Sequence, residues 1–143
     1  TGRSTINNSS VNYDEGTSCA DIENDGDQDI IVTSLYTTLE LYGQTHSIRF
    51  QEQAHERGLG HVLGRAYSAI WGDVNNDGSI DLFVSLEDSS NRLFLNDGAG
   101  FFRDVTVAAG LYVPRGGIGS MFGDIDLDGD LDLFVPRYGM RNL

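Results

Sequence analysis

The chain of 143 residues carries 22 Asp and Glu against nine Lys and Arg, a formal net charge of −13. That surplus of acid argues against direct nucleic-acid binding, which needs a basic footprint, and no apolar run approaches the roughly 18 residues of a membrane span. The length suits one domain, and a single cysteine, Cys19, excludes an intrachain disulfide. Thirteen of the acids lie in three nine-residue segments, and the nine others balance the nine basic residues. The acidity is therefore local, unlike the spread charge of a disordered chain.

In chain order, residues 1–16 read as an N-terminal arm or strand. No signal peptide is evident, so residue 1 is expected to start a processed chain or an excised piece. Asn7 and Asn8 each open an N-x-Ser sequon, as an exposed glycosylated arm would; a short polar strand or a tail fits equally. Repeat one, 17–68, begins around the first acidic segment, Asp21-Ile22-Glu23-Asn24-Asp25-Gly26-Asp27-Gln28-Asp29. Cys19, two residues earlier, is expected to pack as a small hydrophobe, where later repeats hold Trp71 and Phe122.

Repeat two, 69–119, matches repeat one at an offset of 52 residues without a gap as far as Gly58-Leu59. Leu41 meets Leu93, Phe50 meets Phe102, Glu52 meets Asp104, and Gly58-Leu59 meets Gly110-Leu111. Its own segment is Asp73-Val74-Asn75-Asn76-Asp77-Gly78-Ser79-Ile80-Asp81. Residues 69–71 lead in as a strand, 81–84 lead out, and 92–96 form the third strand. Asp97-Gly98-Ala99-Gly100 then turns into a fourth strand over 101–106, since Asp-Gly between apolar runs is a strong hairpin signal. A helix over 50–57 is an alternative, but Val105, Thr106 and Val107 at the matching positions favour strand plus loop.

Partial repeat three, 120–143, holds Asp124-Ile125-Asp126-Leu127-Asp128-Gly129-Asp130-Leu131-Asp132, 51 residues after the second segment, and ends before its last hairpin. Four short antiparallel strands in a unit of about 50 residues describe a propeller blade. The expected fold is all-β: tandem four-stranded antiparallel β-propeller-type blades, two complete and one partial.

The three segments share Asp at positions 1, 5 and 9 and Gly at 6. Calcium takes six to eight oxygens at about 2.3–2.6 Å, and side chains at positions 1, 3 and 5 curl round one centre. Position 7 offers its carbonyl and position 9 closes the shell. Three Ca²⁺ ions are thus expected: one on Asp21, Glu23, Asp25, Asp27 and Asp29, one on Asp73, Asn75, Asp77, Ser79 and Asp81, and one on Asp124, Asp126, Asp128, Asp130 and Asp132. Without metal the crowded carboxylates repel one another and the loops should be loose. An EF-hand is excluded, because its position-12 Glu is here Val32, Val84 and Val135.

These loops, with the lead-ins Trp71-Gly72-Asp73 and Phe122-Gly123-Asp124 and the exits Asp81-Leu82-Phe83-Val84 and Asp132-Leu133-Phe134-Val135, resemble the FG-GAP/VCBS repeats of integrin-α propellers and many secreted bacterial proteins. The stretch Asn91–Gly98, with Phe102-Arg103-Asp104-Val105-Thr106 and Ala109-Gly110-Leu111, looks most like the cartilage-acidic-protein branch. The resemblance covers about residues 17–143 and implies a propeller of about seven or eight blades, with calcium between the first two strands of a blade stiffening the scaffold. Repeat one departs from it at Cys19-Ala20 and at Glu23, which points to a weaker or reshaped first site.

His46, His55 and His61 show no ligand spacing, and Arg115-Gly116-Gly117-Ile118-Gly119 lacks the Lys-Ser/Thr of a phosphate loop. No catalytic constellation stands out. The expectation is a secreted or cell-surface, non-enzymatic calcium-binding structural or adhesion module. Its partners would be other copies of itself or the remaining blades of a longer parent chain. Ser4–Tyr13 filling the gap after Leu143 would then add subunits head to tail into a ring or filament. The alternative is a portion of a ligand-binding propeller, lectin-like or protein-binding, with Tyr36, Tyr42, Tyr112 or Tyr138 lining a pocket.

Overall fold

The computed structural model describes residues 14–45 and 49–137. The Asn7–Asn8 sequons, the proposed filling strand, His46, Tyr138 and Leu143 lie outside them. Every regular element is a strand, and no described helix is long and apolar enough to cross a membrane. Blade one is a meander of β1 (Asp14–Ala20), β2 (Asp29–Ser34), β3 (Glu40–Thr45) and β4 (Arg49–Glu52). Blade two repeats it as β5 (Ala66–Gly72), β6 (Asp81–Leu86), β7 (Arg92–Asn96) and β8 (Phe102–Asp104). β9 (Met121–Gly123) and β10 (Asp132–Phe134) form the antiparallel pair of the third. The all-β blade architecture read from the sequence is the one observed.

The blades stack because the middle strands are apolar on both faces. All six residues of β6 are buried. Leu82, Val84 and Leu86 pack toward blade one with Ile31, Leu41, Ala54 and Leu59. Phe83, one residue out of phase, points the other way to Val135 and to the edge of Phe122, with ring centroids 6.3 Å apart. This alternation follows from the two-residue period of a strand. The first strands line up side by side: β1 packs on β5 and β5 on β9, and the Ser18 hydroxyl donates to the Ala69 carbonyl at 3.0 Å.

The fourth strands are shorter than the apolar run. β8 stops at Asp104, and the residues beyond it form a single hydrogen-bonded turn, with the Ala109 amide donating to the Val105 carbonyl at 2.8 Å. In blade one Arg57 donates to the Gln53 carbonyl at 2.9 Å. The turn is capped at its start by the acid that ends the strand: Glu52 accepts from the Ala54 amide and Asp104 from the Thr106 amide. It ends in a left-handed glycine, Gly58 (φ 91°) or Gly110 (φ 72°), with the next leucine amide reaching back to Ala54 or Thr106. The strand-plus-loop reading of this segment is the one observed, with the strand shorter than expected and the loop wound as a tight turn.

Cys19 differs from expectation. It is exposed, because its register on β1, shared with Trp71 on β5, turns it from blade two toward a side where no described blade stands. Trp71 in the same register faces blade one and meets Phe102 at 6.0 Å.

A Cβ on Gly58 would lie 2.3 Å from the Phe102 carbonyl oxygen, whereas one on Gly110 would meet nothing within 4 Å. Gly110→Ala is expected to cost about 1 kcal/mol for its backbone conformation alone. Gly58→Ala should cost at least about 2–3 kcal/mol, since blade two's backbone must also move. Urea denaturation of the two variants checks the difference.

Candidate metal centre

Each acidic segment bridges the first two strands of its blade, and the same hydrogen bonds recur in all three. At position 1 one oxygen accepts from the amide of position 5 and the other from the amide of position 6. The distances are 3.0 and 2.8 Å at Asp21, 3.0 and 2.8 Å at Asp73, and 3.1 and 3.1 Å at Asp124. At position 5 an oxygen accepts from the amide of position 7: Asp25 from Asp27 at 2.9 Å, Asp77 from Ser79 at 2.8 Å, Asp128 from Asp130 at 3.0 Å. At position 9 one oxygen accepts from the amide of position 2, Asp29 from Ile22 at 3.2 Å, Asp81 from Val74 at 3.0 Å and Asp132 from Ile125 at 2.9 Å. An ionised carboxylate has about four lone-pair sites, so these bonds fix its direction and leave lone pairs for a cation.

The backbone turn needs two left-handed residues. Position 6 is glycine in every loop, with φ of 91°, 86° and 98° at Gly26, Gly78 and Gly129. Position 4 is left-handed too, at Asn24 (56°), Asn76 (57°) and Leu127 (63°). Asparagine tolerates that region, whereas leucine adopts it only at a conformational cost. The paired asparagines carried this signal, which sequence reading passed over.

In the third loop the carboxylate oxygens of Asp124, Asp126 and Asp128 lie within 4.8 Å of one another, the one such group of three acid, imidazole or thiol side chains among the described residues. It has the hard-oxygen chemistry of a divalent-cation site. In the second loop the Asn75 carbonyl oxygen accepts from the Asp77 amide at 3.1 Å and its Nδ2 donates to Asp77 Oδ2 at 2.8 Å, so positions 3 and 5 also meet. The first loop is different. Glu23 is ion-paired to Arg57, which lies 34 residues along the chain.

The electrostatics vary with burial. Burial foremost pushes the Asp81 carboxyl above its usual range, with Asp77 and Asp73 adding to the rise and the amides of Asn96 and Val74 opposing it. Glu23 is also raised, by burial first and then by Asp29, against the pull of Arg57. Asp77, at the surface, is lowered chiefly by the Ser79 amide. Carboxylates raised by crowding and burial are those a bound cation would relieve.

Two residues that the sequence did not single out tie the loops to neighbouring blades. Asn96 is buried and fully used: its amide nitrogen donates to the carbonyls of Ile22 (2.8 Å) and Ile80 (3.1 Å), and its oxygen accepts from Gly98 and Gly100. Asn76 donates to Asp130 at 2.7 Å, joining the second loop to the third. The two described histidines play no such part. His55 and His61 are exposed, and His61 lies edge-on to Phe94.

The family model of the FG-GAP-like repeat matches residues 21–84 and again 73–135, each match running from one acidic loop through the exit of the next. The chain belongs to the FG-GAP-like repeat family. No curated protein matches it. The overlap of the two FG-GAP matches on 73–84 is the second loop with its exit strand, the segment that sits between both neighbouring blades.

Leu127→Asn should place at the third loop the residue type its two counterparts use. A gain of about 1 kcal/mol is expected, read as a higher denaturation midpoint with an unchanged slope.

Proposed function

We propose that this chain is an extracellular, non-enzymatic structural or adhesion module whose three loops each hold one Ca²⁺. The observation that carries the reading is the repeated scaffold: positions 1, 5 and 9 of every loop are fixed by the same backbone amides, and Asp124, Asp126 and Asp128 converge. Bound calcium would offset carboxylate repulsion and hold the link between the first two strands of each blade. Weak oxygen sites fill at the millimolar calcium found outside cells, which supports the location.

Its partners are further blades, from a longer parent chain or from other copies. Met121 and Phe134 occupy the registers that Ile70 and Phe83 hold in blade two, yet they are 54% and 39% exposed where Phe83 is 1% exposed. A face built like one that a blade covers is suited to another blade, and successive addition gives a ring or filament.

A second reading, a ligand-binding propeller, draws support from a cleft of 390 Å³ beside the second loop, lined by Asn75, Asp77, Asp97, Phe101 and Arg103 among others. Of the tyrosines considered for such a role, Tyr36 and Tyr112 are exposed, and Tyr42 is buried with its hydroxyl on Glu40. A glycan-array signal abolished by Phe101→Ala would favour this reading, and an empty array would remove its lectin form.

Native mass spectrometry tests the leading reading by counting ions and copies together. Three calcium ions per chain and a ladder of multimers are expected, with one ion lost in an Asp124→Asn/Asp128→Asn variant. A metal-free spectrum at millimolar calcium refutes the calcium sites, and a strict monomer refutes self-assembly.

A further inference from the structure

We propose that the Arg57 guanidinium is the built-in cation of the first loop: it holds the position-3 carboxylate, keeps that loop folded without a divalent ion, and makes it the weakest of the three calcium sites. The inference rests on the calcium reading for its last clause only.

Arg57 is held on every side. Nε donates to Gln53 Oε1 at 3.0 Å, Nη1 to the Ala99 carbonyl of blade two at 2.6 Å, and Nη2 to Glu23, while the guanidinium carbon lies 5.1 Å from the centre of the Phe101 ring. Its side chain is only 15% exposed and that of Glu23 only 23%. A planar cation fixed by three acceptors and an aromatic face is preorganised, so little freedom is lost on pairing. The pair is therefore unlike an exposed surface salt bridge.

The repeats supply an internal comparison. At the offset of 52 residues Arg57 corresponds to Ala109, Gln53 to Val105 and Glu23 to Asn75. Repeat two thus lacks the cation, the glutamine that steadies it and the extra carboxylate, all three together. Where position 3 is Asp126, its oxygen joins those of positions 1 and 5; where it is Glu23, no such convergence occurs although Asp21 and Asp25 are both present. Glu23 instead lies between the Arg57 guanidinium and Asp29, position 9 of its own loop. A positive charge at this point repels Ca²⁺ and withholds one of its ligands.

Amide hydrogen exchange in EGTA, followed by calcium titration, tests the assignment. In the wild-type chain the amides of Asp25 and Gly26 should exchange more slowly than those of Asp128 and Gly129, and Arg57→Gln should erase the difference. Glu23→Asn, which copies the second loop and leaves the Arg57 bonds to Gln53 and Ala99 in place, should do the same. In titration one wild-type site should be at least about tenfold weaker than the others, and Glu23→Asn should close most of that gap. Unchanged exchange at Asp25 and Gly26 in both variants overturns the proposal, as do three equal wild-type affinities. If no loop binds calcium the proposed function fails, yet the exchange comparison still decides whether Arg57 holds the loop.

Discussion

A buried carboxylate at the end of the first and second loops is the constraint on which the two complete blades depend. Asp29 and Asp81 are 2% and 0% exposed, and each stitches three pieces of chain together. One oxygen accepts from the second residue of the loop; the other accepts from the third strand, at Gln44 (2.8 Å) and Asn96 (2.9 Å). Burying a charge is unfavourable by several kcal/mol unless it is well bonded and balanced. The amides supply the bonding. The charge that remains favours a proton, in line with the upward push on Asp81, or a nearby cation.

The loops are not appendages on finished blades. Asn96 carries the second blade to the carbonyl of Ile22, Arg57 carries the first blade to the turn at Ala99, and Asn76 joins Asp130 across the next boundary. Between these polar ties lie two apolar layers, one on each face of β6. Each layer is shared by two blades, so neither face is satisfied by a single repeat, as in other stacked architectures. Stiffness in a loop is thereby felt at a blade boundary.

Much of this was legible in the sequence, because loop chemistry and strand alternation are both local. The nine-residue code with its near-constant spacing placed every loop, and the Arg92–Asn96 strand appears with the expected bounds. What escaped notice depends on partners far along the chain. Glu23 looked like an imperfect ligand until Arg57 was seen beside it. Asn96 reads in sequence as no more than the last residue of the third strand, and only the fold brings its side-chain amide to another blade. Cys19 looked apolar by its neighbours in register, but its face of β1 meets no described blade. The tight turn after each fourth strand spans only a few residues, too few for a periodic pattern to mark where the strand ends.

The central claim is that divalent ions, by balancing these carboxylates, hold the blades together. Scanning calorimetry of the same protein in excess Ca²⁺ and in excess EGTA tests it most directly. A transition at distinctly higher temperature with calcium, rising further as free calcium is raised, is the predicted result. Superimposable transitions would contradict it.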